Sequence, residues 1–219
     1  MKVICVIPAY NEAERILRVI DKVKPLVDDI VIVDDCSKDQ TYNIAKSSGV
    51  KVLRHSVNLD QGGALQTGTS YALKLGADII VHFDADDQFA ASEIPEVIAP
   101  IINNEADVVF GSRFLGKKSN LPFVKKNIII PLARFVNRLL GVNLSDPQSG
   151  FRALSRQAAQ TIKIRQNGKA HCSEYIVETF RHKLRVKEVP ITVTYHEFGQ
   201  NFSGGLRIIK DLIIQKIIK

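Results

Sequence analysis

The sequence predicts an α/β protein with a mostly parallel central sheet and helices on both faces. Short β-rich apolar runs alternate with segments of helical period through residues 1–110. The runs are nearly continuous in apolar residues, as strands covered on both faces are. A chain of 219 residues, 45% hydrophobic and 24% charged, has the balance of a globular protein and is long enough to bury a sizeable core.

In order, residues 2–7 read as a first strand, and residues 11–23 as a helix with Asn11 as its cap. Residues 30–33 are a second buried strand, followed by a helix around 40–48 and a strand at 50–53. A helix over 64–75, a strand at 78–83, a helix around 94–102 and a strand at 107–110 complete the alternation. No repeat or long linker interrupts it, so one domain over residues 1–219 is expected, in two halves, 1–110 and 111–219.

The pattern changes after residue 110. Residues 111–123 are rich in Gly, Lys, Ser, Asn and Pro and predict a mobile loop. Next, Ile128, Leu132, Phe135, Val136 and Leu139 fall on one side of a helix and Asn127, Arg134 and Arg138 on another, with Pro131 bending or starting it. In the last fourteen residues Ile209, Leu212, Ile213 and Ile217 oppose Arg207, Asp211 and Gln215. Such a stretch either packs on the sheet or lies in the plane of a membrane. Two copies beside surplus Lys and Arg favour an anionic membrane surface, where each nearby basic residue contributes about 1 kcal/mol.

Charge sharpens the division. Residues 1–110 carry 10 Lys and Arg against 17 Asp and Glu, and residues 111–219 carry 20 against 6, so the halves are −7 and +14. An acidic half suits a cation and a basic half suits phosphate or anionic lipid. The longest apolar runs are about seven residues, well short of the ~18–20 of a membrane span. Pro8, Asn11 and Glu12 break the N-terminal run, so no secretory signal is expected and the chain is assigned to the cytoplasm. Cys5, Cys36 and Cys172 lack metal-ligand spacing and read as buried or incidental thiols.

Ligands of open parallel sheets bind outside the carboxyl ends of the strands. Three polar clusters fall there: residues 8–12 after the first strand, 34–37 after the second and 84–88 after the fourth. Carboxylates gathered at one edge repel one another unless a cation or hydrogen-bond donors offset them. A divalent ion is the economical explanation, and Asp84, Asp86 and Gln88 supply the hard oxygen ligands that Mg²⁺ or Mn²⁺ prefers. Without a Walker lysine motif or a GxGxxG fingerprint, the chain is neither an ordinary NTPase nor a dinucleotide dehydrogenase. Gln61-Gly62-Gly63 reads as a turn before the next helix.

Residues 6–12 (VIPAYNE), 31–39 (VIVDDCSKD), 84–88 (DADDQ), 111–113 (GSR) and 149–152 (SGFR) together resemble glycosyltransferase family 2, most closely the dolichyl-phosphate mannose synthase group of polyprenyl-phosphate glycosyltransferases. The resemblance covers nearly the whole chain. It implies a GT-A type nucleotide-sugar fold, a divalent ion and inversion at the anomeric carbon. It places Pro8, Tyr10, Glu12, Val33 and Asp35 in the donor's nucleoside pocket, with a ring face from Tyr10 and an acceptor for base N–H groups from Asp35. Asp84, Ala85, Asp86 and Gln88 resemble the segment holding ribose, metal and diphosphate, and Arg113 the family arginine near the reaction centre. Residues 146–152 are similar to the acceptor-side motif, in which Arg152 could pair bidentately with a phosphate. Lys117 and Lys118 could close over it or face solvent. Asp86, Arg113 and Arg152 are thus the expected catalytic residues. Asp146 is either a base or an orienting residue for Arg152, with the basic half favouring the second. His196 stands where the group has an arginine and Phe202 where it has a lysine, although His196 can still donate a hydrogen bond.

The implied reaction transfers a sugar from a nucleotide donor of the GDP-mannose or UDP-glucose type to a polyprenyl or dolichyl phosphate. It would run with Mg²⁺ or Mn²⁺ at the cytoplasmic membrane face, the protein peripherally bound. A phosphate monoester, largely ionised at neutral pH, attacks without a dedicated base. A membrane-protein partner is also expected, and nucleic acid is not. The alternatives are transfer to a sugar hydroxyl of a polysaccharide or glycolipid, and a nonenzymatic module binding membrane or RNA.

Overall fold

The computed structural model describes residues 1–115, 144–168 and 170–194. Both expected amphipathic helices, the loop beyond residue 115, and Lys117, Lys118, His196 and Phe202 lie outside the described residues.

The described elements run β1 (Val3–Ala9), α1 (Ile16–Val23), β2 (Asp29–Asp34), α2 (Thr41–Ser47), β3 (Lys51–Arg54), α3 (Asp60–Lys74), β4 (Ile79–His82), α4 (Ile94–Ile102), β5 (Val108–Ser112), β6 (Arg152–Ser155), α5 (Arg156–Thr161), α6 (His171–Arg181) and β7 (Val186–Pro190). The strands form one sheet in the order β3-β2-β1-β4-β6-β5-β7. It is mostly parallel, as expected; β6 alone among the described strands runs against its neighbours β4 and β5.

Successive residues of β1 serve opposite cores, which is why the strand is apolar throughout. Cys5 and Ile7 join Ile20, Ile32 and Val97 beneath α1 and α4. Ile4 and Val6 join Val33, Leu65 and Tyr175 beneath α3 and α6. Close packing on the second face requires Gly68, since a Cβ there would stand 2.3 Å from Val6 Cγ1. In α1, Ile16, Val19, Ile20 and Val23 make the buried stripe.

Two sequence expectations change. The first helix begins at Ile16, not at residue 11, and Asn11 does not cap it. Asn11 has φ 56° and its Oδ1 accepts from Lys38 N at 2.8 Å, so its side chain ties two loops together instead. The residues Gln61-Gly62-Gly63 are not a turn but the first turn of α3.

Topology fixes where ligands can enter. From β1 the chain builds β2 and β3 to one side, then returns to lay β4 on the other, so the order reverses between β1 and β4. β4 follows β1 only as far as Val6, whereas β2 follows it to Ala9. Pro8 lies beyond β4, where its missing N–H costs no bond on that side. The result is a crevice at the carboxyl edge, the usual binding place in such sheets. Because β6 is antiparallel, it starts at this edge beside the end of β4, so Gly150 meets Asp84 in the loop after β4.

Candidate active site

The edge loops are cross-linked through main chain. Asn11 N donates to Ser37 Oγ at 2.9 Å, Glu12 N to Thr41 Oγ1 at 2.8 Å and Ala13 N to Asp39 Oδ2 at 3.1 Å. Asn11, Cys36, Asp60 and Asp87, all at this edge, have φ between 56° and 63°. Left-handed non-glycine residues are costly and persist where their surroundings over-determine them.

At one end of the edge stands Asp35. Its amide donates to Ala9 O at 2.8 Å. Its Oδ1 accepts from the backbone of Leu59 at 2.8 Å and from His55 Nδ1 at 2.7 Å, and His55 Nε2 meets Thr67 Oγ1 at 3.0 Å. Beside it Tyr10 is 43% exposed, with a ring face for stacking, and Pro8 is half-buried. Val33, expected in the same pocket, is instead core: its fully buried side chain packs under α3, so it places Asp35 without lining the pocket.

At the other end stand Asp84, Asp86 and Gln88. Asp84 Oδ1 accepts from Gln61 Nε2 at 2.8 Å, so the start of α3 reaches both ends, through Leu59 just before the helix and Gln61 in its first turn. Burial first, then the charge of Asp86, pushes the Asp84 carboxyl up to about 7. Glu12 is also pushed up, chiefly by burial and further by Asp86 and Asp39, against the lowering pull of Arg15. Asp86 Oδ1 accepts from Gln88 N at 3.1 Å, a local turn that fixes the loop. Ala85, expected near the ribose, has its side chain in the core. Asp87 is buried and turned away, paired with Lys22 at 2.7 Å and Arg18 at 3.4 Å on α1.

These residues fit a divalent cation. A carboxyl raised by burial and then by a carboxylate neighbour is one that an added positive charge would ionise. Among the described residues no three His, Cys, Asp or Glu side chains group as a metal cluster. Asp84 and Asp86 would hold the ion, with Gln88 as the further oxygen ligand.

The basic half contributes differently from expectation. Asp146 does not orient Arg152; it holds Arg113, accepting from Nε at 2.6 Å, Nη2 at 2.7 Å and the backbone N at 3.1 Å. Glu188 fixes that segment by accepting from Ser145 N at 2.8 Å and Asp146 N at 3.0 Å. Arg152, expected to grip a phosphate, is fully buried. Its Nε donates to Ser149 O at 2.7 Å, its Nη2 to Cys172 Sγ at 3.1 Å, and its guanidinium lies 4.8 Å from the Tyr175 ring centre. Burial would push the Cys172 thiol up, but Arg152 and the bond from His171 bring it down to about 6. Cys172 is thus a buried thiol, as expected, and additionally a partner of Arg152. Arg152 also lowers Asp84 against its burial, as a buried positive charge behind the acidic end.

Gly150 closes the wall. A Cβ on it would stand 2.3 Å from Asp84 Oδ2. Nothing local in the sequence singles out His55 or ties Gly150, Gln61 and Cys172 to these roles, because the partners named for them here are twenty or more residues away. Asp87 was findable, as a third aspartate in the run 84–88.

Residues 4–163 match the family model described as Glycosyl transferase family 2. The chain is 37% identical over 240 aligned positions to a UDP-N-acetylglucosamine--dolichyl-phosphate N-acetylglucosaminyltransferase of Methanococcus voltae, covering 98% of this chain and 96% of the relative. It is 31% identical over 219 positions to an undecaprenyl-phosphate mannosyltransferase of Micrococcus luteus, covering 94% and 89%. Among solved structures it superposes with TM-score 0.76 on glucosyl-3-phosphoglycerate synthase from Mycobacterium tuberculosis in complex with Mn²⁺, uridine diphosphate and glucosyl-3-phosphoglycerate. That match is 23% identical and covers 97% of this chain and 78% of the other, a likeness of fold that meets the GT-A expectation.

Proposed function

The chain belongs to glycosyl transferase family 2, and from that premise we propose that it transfers a sugar from a nucleotide-sugar to a polyprenyl or dolichyl phosphate, with Mg²⁺ or Mn²⁺. The observation that carries this reading is the pair of acidic ends joined by the start of α3. Asp35 receives the base, Tyr10 offers its ring face, and Asp84 and Asp86 face the diphosphate. Asp84 and Asp86, with Gln88, would hold the ion, whose chemistry when bound would be positive charge against the leaving diphosphate.

The chain's own groups set the rest. Gln61 and Gly150 fix Asp84, and Asp87 anchors the loop that carries Asp86. Arg113, clamped by Asp146, is the cation for the acceptor side. Because both carboxylate oxygens of Asp146 are engaged by Arg113, that residue is poorly placed to take a proton from a hydroxyl acceptor. This favours a phosphate acceptor, which needs no base. The lipid-phosphate substrates named for both sequence relatives support the same acceptor. No described helix is long and apolar enough to cross a membrane. Peripheral binding at the cytoplasmic face is supported by the +14 charge of residues 111–219.

Incubation of the purified chain with labelled nucleotide-sugars, Mn²⁺ and polyprenyl phosphate is expected to give an acid-labile lipid phosphate sugar, lost in Asp86→Ala by about a thousandfold. Label recovered only in an alkali-stable, hydroxyl-linked product would replace the acceptor.

A further inference from the structure

The hydrogen bonds already made by Asp35 restrict what base it can take. An ionised carboxylate has two oxygens, each with two lone-pair directions. Oδ1 of Asp35 receives the Leu59 amide at 2.8 Å and the His55 ring at 2.7 Å, which uses both of its directions. Nδ1 of His55 must carry the hydrogen of that bond, since an ionised carboxylate only accepts. The Thr67 hydroxyl at 3.0 Å then partners Nε2, and it can either donate or accept. Among the described residues, Oδ2 accepts no hydrogen bond. Asp35 therefore offers a ligand one oxygen rather than two.

Bases differ in how many acceptors they require. Guanine presents N1–H and the exocyclic N2–H side by side, a pair that a carboxylate matches best with one oxygen to each and that a single oxygen can only share at poorer geometry. Uracil presents a single N3–H between two carbonyls, which one oxygen satisfies. Adenine N1 and cytosine N3 are acceptors and would meet Oδ2 lone pair to lone pair. We propose that this end of the site selects uridine nucleotides over guanosine nucleotides, and that His55, by occupying Oδ1, sets the preference. The inference rests on the reading above that Asp35 receives the base of a nucleotide-sugar donor. Leaving one guanine N–H without a well-aligned partner costs about tenfold in affinity.

The test is calorimetric titration of the full chain with uridine diphosphate and with guanosine diphosphate, each with Mn²⁺. Uridine diphosphate is expected to bind at least about tenfold more tightly. His55→Asn, whose amide can replace the Nδ1–H donor, should keep that ratio. His55→Leu, which releases one direction of Oδ1, should narrow it. Equal or tighter binding of guanosine diphosphate by the wild-type chain overturns the proposal. An unchanged ratio in folded His55→Leu overturns the role of His55. Binding of neither nucleotide overturns the donor-site reading on which both depend. The wild-type ratio decides the main point even where a variant does not fold.

Discussion

Asp35 and Asp84 sit at the two ends of one edge, and the protein treats them oppositely. Asp35 is supplied with donors by Leu59 and His55. Asp84 receives one neutral donor, Gln61, is buried beside Asp86, and is pushed up to about 7. A carboxylate balanced by the protein is ready to read neutral groups by hydrogen bonding. One left short of positive charge is ready for a cation. On the proposed function, the difference suits base recognition at one end and charge compensation at the other, although both residues follow parallel strands in similar loops.

The strongest way to break this contrast is to disturb only the Asp84 end. Gly150→Ala places a methyl in the space of Asp84 Oδ2, and turnover should fall about a hundredfold, as displacements near 1 Å do. Nucleoside diphosphate binding without metal should hardly change, and a parallel loss of it would erase the distinction between the ends.

The pH dependence gives a second, smaller effect. Since the folded-state value of Asp84 is raised to about 7, its protonated form is favoured by folding. Its contribution to stability is present at acid pH and is lost as pH rises through about 7. Metal binding runs the other way, because the ion must displace the proton. Mn²⁺ affinity should rise by about tenfold per pH unit below about 7 and flatten above it. Asp84→Asn should remove the slope, measurable by Mn²⁺ titration at several pH values.

The smallest effect is expected at Asp87, behind the loop. Asp87→Ala releases Lys22 and Arg18 to water, where they are already half exposed, so stability should drop by only about 1 kcal/mol. Turnover should fall by about tenfold through looser placement of Asp86, with denaturant midpoint and turnover measured on the same sample. A stability loss without a kinetic one would make the Asp87 pair structural only.

The strands and helices of residues 1–110 were legible because periodicity is local, and the helix at residues 94–102 begins and ends where its pattern does. The first helix misled because Asn11 has a capping side chain but spends it on Lys38, a partner 27 residues away. Asp84 and Asp86 were legible as carboxylates after a buried strand. What each does was not, since it depends on Gln61, Gly150 and Arg152 arriving from elsewhere. Arg152 shows the limit most clearly. As the basic residue of Ser149-Gly150-Phe151-Arg152 it reads as a ligand by resemblance, and only the fold reveals Phe110 and Tyr175 enclosing it.

The reversed strand β6 has a consequence for synthesis. It is the only described bridge between β4 and β5, so when residues 1–110 have left the ribosome the sheet still has a gap through its middle. Until residue 155 emerges, β4 is a bare edge that can recruit other chains. A nascent chain stalled before that point should need chaperone cover, and truncation there should yield aggregates instead of a smaller nucleotide-binding protein.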